Sequence, residues 1–286
     1  MATDGGIRGH RRQLENGGVR MRLSLAQLGS GTDKVDNLAA IERLARQAVD
    51  DGADLVAFPE YSMYEKKVVD ASFGPAAEPL DGPFVTALAG LAASLGIAIV
   101  AGVVETNDEG PRPFNTLVAL DASGALLGRY RKIHLFDSYG FRESESITPA
   151  PSLEPVVFTV AGTIVGLMTC YDLRFPELGR ELADAGAELV LTCSSWVPGE
   201  GKAEHWRVLA QARAIENSYF VGAVSQVPPV SIGRSVLVGP AGGIRGELGV
   251  DVGACTFDLD RAEVRAARER DPALENRRYS IRRRRG

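Results

Sequence analysis

Three reactive side chains stand at the ends of apolar runs in this sequence: Glu60 ends LVAFPE, Lys132 follows LLGRYR, and Cys170 follows IVGLMT. A strand that buries itself can hold such a group rigidly at a mouth formed by loops. A thiol is the strongest nucleophile of the three, but only its thiolate attacks, so Cys170 needs a proton acceptor and a positive neighbour. Glu60 can serve as that acceptor and later return a proton to a leaving amine. Lys132 can stabilise both the thiolate and a developing oxyanion. Each residue alone has a plainer explanation. A Cys in an apolar strand is often a small core residue, a Glu after Pro can start a helix, and a Lys beside Arg129 and Arg131 can belong to a solvated edge strand.

The local sequences around the three residues narrow the choice. FPE at 58–60, KIHLFD at 132–137 and CYDLRFPEL at 170–178, with Glu60, Lys132 and Cys170 separated by 72 and 38 residues, resemble the three catalytic segments of the nitrilase, or carbon-nitrogen hydrolase, superfamily. The resemblance runs from about Met21 to about Asn276. It implies that Cys170 is the nucleophile, Glu60 the general base and acid, and Lys132 the cation at the tetrahedral intermediate. Glu143, in FRES, matches a second carboxylate that positions the substrate amide and Lys132. Without the resemblance, Glu143 reads as a loop charge paired with Arg142. The implied fold is a four-layer α-β-β-α sandwich, and the implied chemistry needs no cofactor and no metal.

The expected reaction is hydrolysis of the C–N bond of small linear carboxamides to a carboxylic acid and ammonia, through a thioester on Cys170. The backbone N–H of Tyr171 is expected to join Lys132 at the oxyanion. CYDLRF after the nucleophile resembles the branch that includes ω-amidases and deaminated-glutathione amidase, whereas nitrilases proper resemble C-W-E or C-A-E here. Alternative substrates are therefore α-keto acid amides or deaminated glutathione, with nitriles and N-carbamoyl amides behind them. Tyr61, Tyr64 and Trp196 match positions where the family builds its acyl pocket, although Trp196 reads equally as an aromatic covering the sheet end. Arg174 offers a planar fork for a substrate carboxylate, or else a structural ion pair. The resemblance also implies a homodimer, with the segment after Arg261 as a candidate cross-subunit arm.

The elements that must position these groups follow from periodicity. Leu23, Leu25 and Gln27 alternate with polar and small residues in a short strand, and Asp33 or Asp36 can cap a helix with Leu38, Ile41, Leu44, Ala45 and Ala48 on one face. A buried strand at 55–58, a helix at 83–95 and strands at 97–103, 115–121 and 125–131 complete a first cycle. A second cycle has strands at 156–160, 164–169 and 188–193, helices at 176–185 and 203–216, and strands near 219–225, 234–238 and 252–259. Such alternation predicts an α/β layer structure with two stacked sheets and helices outside.

Composition excludes several other classes. With 286 residues, 45% hydrophobic and 24% charged, the chain is long and apolar enough for a large core, so disorder and fibre are ruled out. A net charge of −5 argues against nucleic acid as a main partner, although ten Arg against four acidic residues in 261–286 make a basic end. Residues 277–286 are expected to form a basic tail, 1–20 a flexible leader, and 21–276 one domain. The uncharged stretch from Gly82 to Val104 is long enough to span a bilayer, but Pro83 and Gly96 divide it into a helix and a strand, so no membrane partner is expected. Three Cys without a preceding apolar signal segment suggest a reducing cytoplasm. His10, His134 and His205 show no metal-ligand spacing with Cys193 or Cys255. GPAGGIRG at 239–246 opens no helix and carries no phosphate-loop pattern.

Two rival classes remain open at this level. One is a Cys-His hydrolase using His134 or His205 as the base. The other is a scaffold that keeps the fold and binds a partner through its arginine tail.

Overall fold

A computed structural model describes residues 20–283; the expected leader and the last residues of the tail, Arg284 and Arg285 among them, lie outside the described residues. The first cycle consists of β1 (Arg20–Gln27), α1 (Lys34–Asp50), β2 (Leu55–Ala57), a single turn α2 (Phe73–Ala76), α3 (Pro83–Leu95), β3 (Ala98–Glu105), β4 (Phe114–Leu120) and β5 (Leu126–Arg131). The second consists of β6 (Val157–Val160), β7 (Thr163–Thr169), α4 (Pro176–Asp184), β8 (Leu189–Ser194), α5 (Lys202–Asn217), β9 (Phe220–Ser225), β10 (Val236–Val238) and β11 (Ile244–Glu247). β12 (Gly253–Asp260) returns to the first sheet, and α6 (Arg261–Arg270) follows it.

Local chemistry sets the helix ends. Asp33 caps α1 by accepting the N–H groups of Val35 and Asp36, and the predicted apolar face of Ile41, Leu44, Ala45 and Ala48 is buried. The uncharged stretch splits as its sequence demands: Pro83 opens α3, and Gly96 closes it with φ 66° before β3 begins. No helix among the described residues is long and apolar enough to cross a membrane. GPAGGIRG turns the β10–β11 hairpin, where the Gly239 N–H donates to the Gly243 carbonyl.

The strands form two six-stranded mixed sheets, ordered β12-β1-β2-β3-β4-β5 and β11-β10-β9-β8-β7-β6. In each, a parallel trio (β1-β2-β3 and β7-β8-β9) is flanked by antiparallel strands. Alternation then sorts side chains into layers. Leu23, Leu25, Leu55 and Val100 join Leu167, Leu191 and Val221 in a core between the sheets, while Val56, Ile99 and Val118 point the other way against α1 and α3. At Gly222 an added Cβ would lie 3.0–3.2 Å from Leu191, Leu23 and Leu25, so the sheets press together there. With α4 and α5 on the far side, the result is the four-layer α-β-β-α sandwich.

The carboxy-terminal segment packs on its own chain. Asp260 caps α6, and Val264 and Ala267 are buried in the chain's own core. The tail is tied down as well: Arg277 pairs with Asp184, and Arg283 with Glu181 and Glu154. The amphipathic pattern of 261–270 accounts for the buried face of α6.

Candidate active site

Each reactive residue leaves the end of a strand at the same edge of the sandwich. After β2, Pro59 and Glu60 run so close to β3 that a Cβ at Gly102 would come within 2.5–2.7 Å of their backbone and that of Tyr61. Only glycine permits that approach. Lys132 follows β5, with its N–H donating to the Asn115 carbonyl at 2.8 Å. Glu143 opens a one-turn 3-10 helix, Glu143–Glu145. Cys170 follows β7 as the first residue of another, Cys170–Arg174, with φ 47°. A left-handed conformation at a non-glycine residue costs on the order of 1 kcal/mol, and here it turns the thiol off the strand end.

A buried polar network supports that turn. The Asp172 carboxylate accepts from the Thr169 N–H at 2.9 Å, the Tyr130 hydroxyl at 2.6 Å and the His134 N–H at 3.1 Å. His134 Nδ1 lies 2.7 Å from the same carboxylate, and its ring stacks on Phe175 at 3.6 Å. His134 thus braces the turn that begins at Cys170. His205 meets Arg174 instead. Neither imidazole lines the cavity at Cys170, which removes the geometric basis for a Cys-His pair.

The three charged partners converge. Lys132 Nζ donates to Glu60 Oε1 and to Glu143 Oε2, both at 2.8 Å. Asn115 Nδ2 donates to Glu60 Oε1 at 2.7 Å and to Glu143 Oε1 at 3.1 Å. The Ser195 N–H holds Glu60 Oε2 at 2.6 Å, while the Tyr61 hydroxyl and the Phe136 N–H each hold Glu143 at 2.7 Å. All of these carboxylates and the ammonium are buried. Every oxygen of both carboxylates therefore has a fixed donor, which is what permits charge at this depth.

Burial alone would push the Lys132 ammonium down, but the Glu143 and Glu60 carboxylates outweigh it and hold its pKa well above the ordinary value. Glu143 is the reciprocal case: burial would raise it, yet Lys132 and the donors around it keep it below the usual carboxylate value. Lys132 is not the dominant influence on Cys170. Burial, followed by the Glu60 charge, pushes the thiol well above its ordinary pKa, and Lys132 only partly opposes them. The thiol therefore holds its proton more tightly than a free cysteine does, on a wall it shares with Glu60. Its Sγ lies 3.8 Å from the Ser195 carbonyl.

Cys170, Glu60, Lys132 and Glu143 share the wall of one cavity of about 540 Å³, open to solvent, with Tyr61, Glu65, Phe136, Ser195 and Val197. Of the four expected pocket residues only Tyr61 is on that wall. Tyr64 turns away to Phe73, its hydroxyl donating to Ser72. Trp196 is buried behind the wall, donating from Nε1 to the Lys202 carbonyl and tilted against Trp206. Arg174 lies over Trp196 and 3.3 Å from His205 Nδ1. For Tyr64 and Trp196, packing rather than position in the sequence decides which way the ring points. The Tyr171 N–H sits in the first turn of the 3-10 helix, where a donor has no intrahelical acceptor.

Sequence reasoning did not single out Asn115, Ser195, Phe136, Glu65 or Lys202. Phe136 lies within KIHLFD, and Glu65 is five residues past Glu60. Lys202 carried a detectable signal, since a lysine at the first residue of a helix opposes the helix dipole.

The arrangement places a thiol, two buried carboxylates and an ammonium on one cavity wall. The sequence profile of carbon-nitrogen hydrolases matches residues 22–269. Hydrolase Rv0480c of Mycobacterium tuberculosis is 38% identical over 272 residues, 90% of this chain and 95% of that protein. Omega-amidase NIT2-B of Xenopus laevis is 32% identical over 275 residues, 92% and 97% of the two chains. A solved double mutant of the amidase from Nesterenkonia sp. AN1 in complex with acrylamide superposes with a TM-score of 0.77 at 30% identity, covering 93% of this chain and 97% of that one. A matching fold, a matching sequence and a shared edge of reactive groups lead to one conclusion: this chain belongs to the carbon-nitrogen hydrolase family, on its amidase and ω-amidase branch.

Proposed function

We propose that the protein hydrolyses small linear carboxamides to carboxylic acids and ammonia through a thioester on Cys170. The observation that carries this reading is Lys132, bridged between Glu60 and Glu143 at 2.8 Å each, on the same cavity wall as the Cys170 thiol. Glu60 takes the thiol proton as sulfur bonds to the amide carbon, and the C=O electron pair moves onto oxygen. Lys132 and the Tyr171 N–H stabilise that oxyanion. As the carbonyl re-forms, the C–N bond breaks, Glu60 protonates the nitrogen and ammonia leaves. Water then gives a proton to Glu60 and its oxygen to the acyl carbon. The C–S bond breaks, the thiol recovers the proton, and the acid departs. Glu143 keeps Lys132 oriented throughout.

A narrower reading restricts the substrates to ω-amides, supported by the likeness to omega-amidase NIT2-B. The working unit in this proposal is a cytoplasmic homodimer. All three cysteines are free, and α5 exposes Val208 and Ile215, two turns apart on one face, for a second copy to cover. The deciding experiment is an ammonia-release screen across short aliphatic amides, ω-amides and the matching nitriles, with intact-mass detection of an acyl adduct on Cys170. Release from amides and none from nitriles is the expected result; turnover of nitriles alone would sink the reading.

A further inference from the structure

The hydrogen-bond sites of the two buried carboxylates are filled unequally. An ionised carboxylate has two acceptor sites on each oxygen. On Glu143 all are taken: Oε1 accepts from the Tyr61 hydroxyl and Asn115 Nδ2, and Oε2 accepts from Lys132 Nζ and the Phe136 N–H. On Glu60, Oε1 accepts from Lys132 Nζ and Asn115 Nδ2, while Oε2 accepts from the Ser195 N–H alone among the described residues. One acceptor site therefore stays open, on Glu60 Oε2, in a carboxylate that lines the cavity with Cys170.

Asn115 makes the difference at both Oε1 atoms. It lies on β4, is completely buried, and divides its amide hydrogens between Glu60 at 2.7 Å and Glu143 at 3.1 Å. Its main-chain carbonyl also accepts the Lys132 N–H, so one residue fixes both carboxylates and the strand end that carries the ammonium. Turning the amide over would set Oδ1 against two carboxylate oxygens, which settles its orientation. In that orientation Oδ1 is buried with no hydrogen-bond partner among the described residues. A buried acceptor left bare weakens a fold, so the amide is here for what its hydrogens do.

We infer that Asn115 is a positioning residue that selects the proton-accepting atom: by closing the Oε1 sites of Glu60 and Glu143, it leaves Glu60 Oε2 to take the proton of Cys170. Glu143 is thereby held out of acid–base work, although it too is buried and bonded to Lys132. The inference deepens the amidase reading above and rests on it. In the forward step the S–H bond breaks, its hydrogen goes to Glu60 Oε2, and the sulfur electron pair forms the bond to the acyl carbon. The same oxygen returns that proton to the departing nitrogen.

The test uses the full-length protein and two variants, Asn115→Ala and the isosteric Asn115→Asp, which keeps the shape and loses the amide hydrogens. On short aliphatic amides, Asn115→Ala should lower kcat at least about tenfold with KM within about threefold of wild type, as for an interaction that serves the chemical step. Losing a donor favours the protonated carboxyl. The acid limb of kcat/KM should therefore move to higher pH in Asn115→Ala, and further in Asn115→Asp, where a third carboxylate adds repulsion. Alkylation of Cys170 by iodoacetamide, followed by peptide mapping, needs the same proton transfer but no acyl transfer, and should slow in parallel. Wild-type kcat in Asn115→Ala, or a fall in kcat with the acid limb unmoved in both variants, overturns the assignment, since a merely structural residue lowers the folded fraction without moving the profile. If Asn115→Ala does not fold, Asn115→Asp decides alone. Slowed alkylation in the variants, with no ammonia released from any amide by wild type, would count against the amidase reading and not against Asn115.

Discussion

Lys132 Nζ lies 2.8 Å from Glu143 Oε2, and both groups are almost completely withdrawn from solvent. Neither charge is tolerable at that depth without the other, so Glu143 is bound to the site by energetics as much as by proximity. Glu143→Ala leaves Lys132 with Glu60 alone and should lower stability by about 3–5 kcal/mol, the usual penalty for breaking a buried pair. Thermal unfolding of the variant measures it. A change below about 1 kcal/mol would show that the pair is not held as described.

The general base is tested by separating Glu60 from the histidines. Glu60→Gln should abolish turnover while the protein remains folded by circular dichroism, because the amide cannot accept the thiol proton. His134→Ala and His205→Ala should retain partial activity, His134→Ala being the weaker because its ring supports the Asp172 clasp. Loss of all activity in either histidine variant together with survival in Glu60→Gln would reverse the assignment.

Thiol reactivity follows from the resting protonation states. Cys255 is exposed, whereas Cys170 and Cys193 are buried, and burial raises both of their pKa values. In the native protein a maleimide should label Cys255 first, Cys170 more slowly and with rising rate as pH increases, and Cys193 only after unfolding. Peptide mapping against time gives the order. Rapid labelling of Cys170 at neutral pH, ahead of Cys255, would indicate a resting thiolate and contradict the neutral thiol.

Glu65 supplies a pH signature of opposite sign to Glu143. Its Oε2 has no hydrogen-bond partner among the described residues, and burial raises its pKa well above 4.5. A carboxyl raised in the folded state binds its proton more tightly there, so its ionisation weakens the fold as pH climbs from about the unfolded value toward the folded one. Glu65→Gln removes that penalty and should gain stability relative to wild type as pH increases over this window, with little difference below it. Glu143 is depressed, so its contribution is full above the unfolded value and disappears as pH falls through the folded one. Melting temperatures of Glu65→Gln and Glu143→Gln across pH should therefore diverge from wild type in opposite directions near neutrality; parallel curves would refute the two environments.

The Tyr61 hydroxyl donates to Glu143 Oε1 at 2.7 Å from a fully buried position. Tyr61→Phe removes this donor without changing ring shape and should cost about 1–3 kcal/mol of stability, with a fall in kcat from the loosened Lys132 anchor. Retention of wild-type kcat would mean that the anchor does not depend on Tyr61.

The candidate residues and most of the scaffold were legible in the chain's local patterns. Glu60, Lys132 and Cys170 stand where apolar runs stop, and both cycles of strand and helix follow from local periodicity, with Asp33, Pro83 and Gly96 marking boundaries. Such signals survive in one dimension because a strand or helix repeats its burial every two or three to four residues. The rest depended on long-range packing. Whether Tyr61 or Tyr64 faces the cavity, whether Cys170 rests as thiol or thiolate, and whether the segment after Arg261 reaches outward or folds back are set by neighbours far away in the chain. Gly102 against Glu60 and Lys202 against Phe136 are contacts between separate elements, and no spacing rule encodes them. Local pattern decides what an element is; the stacking of the two sheets decides which of its side chains share a water-poor space, and therefore which charges must answer one another.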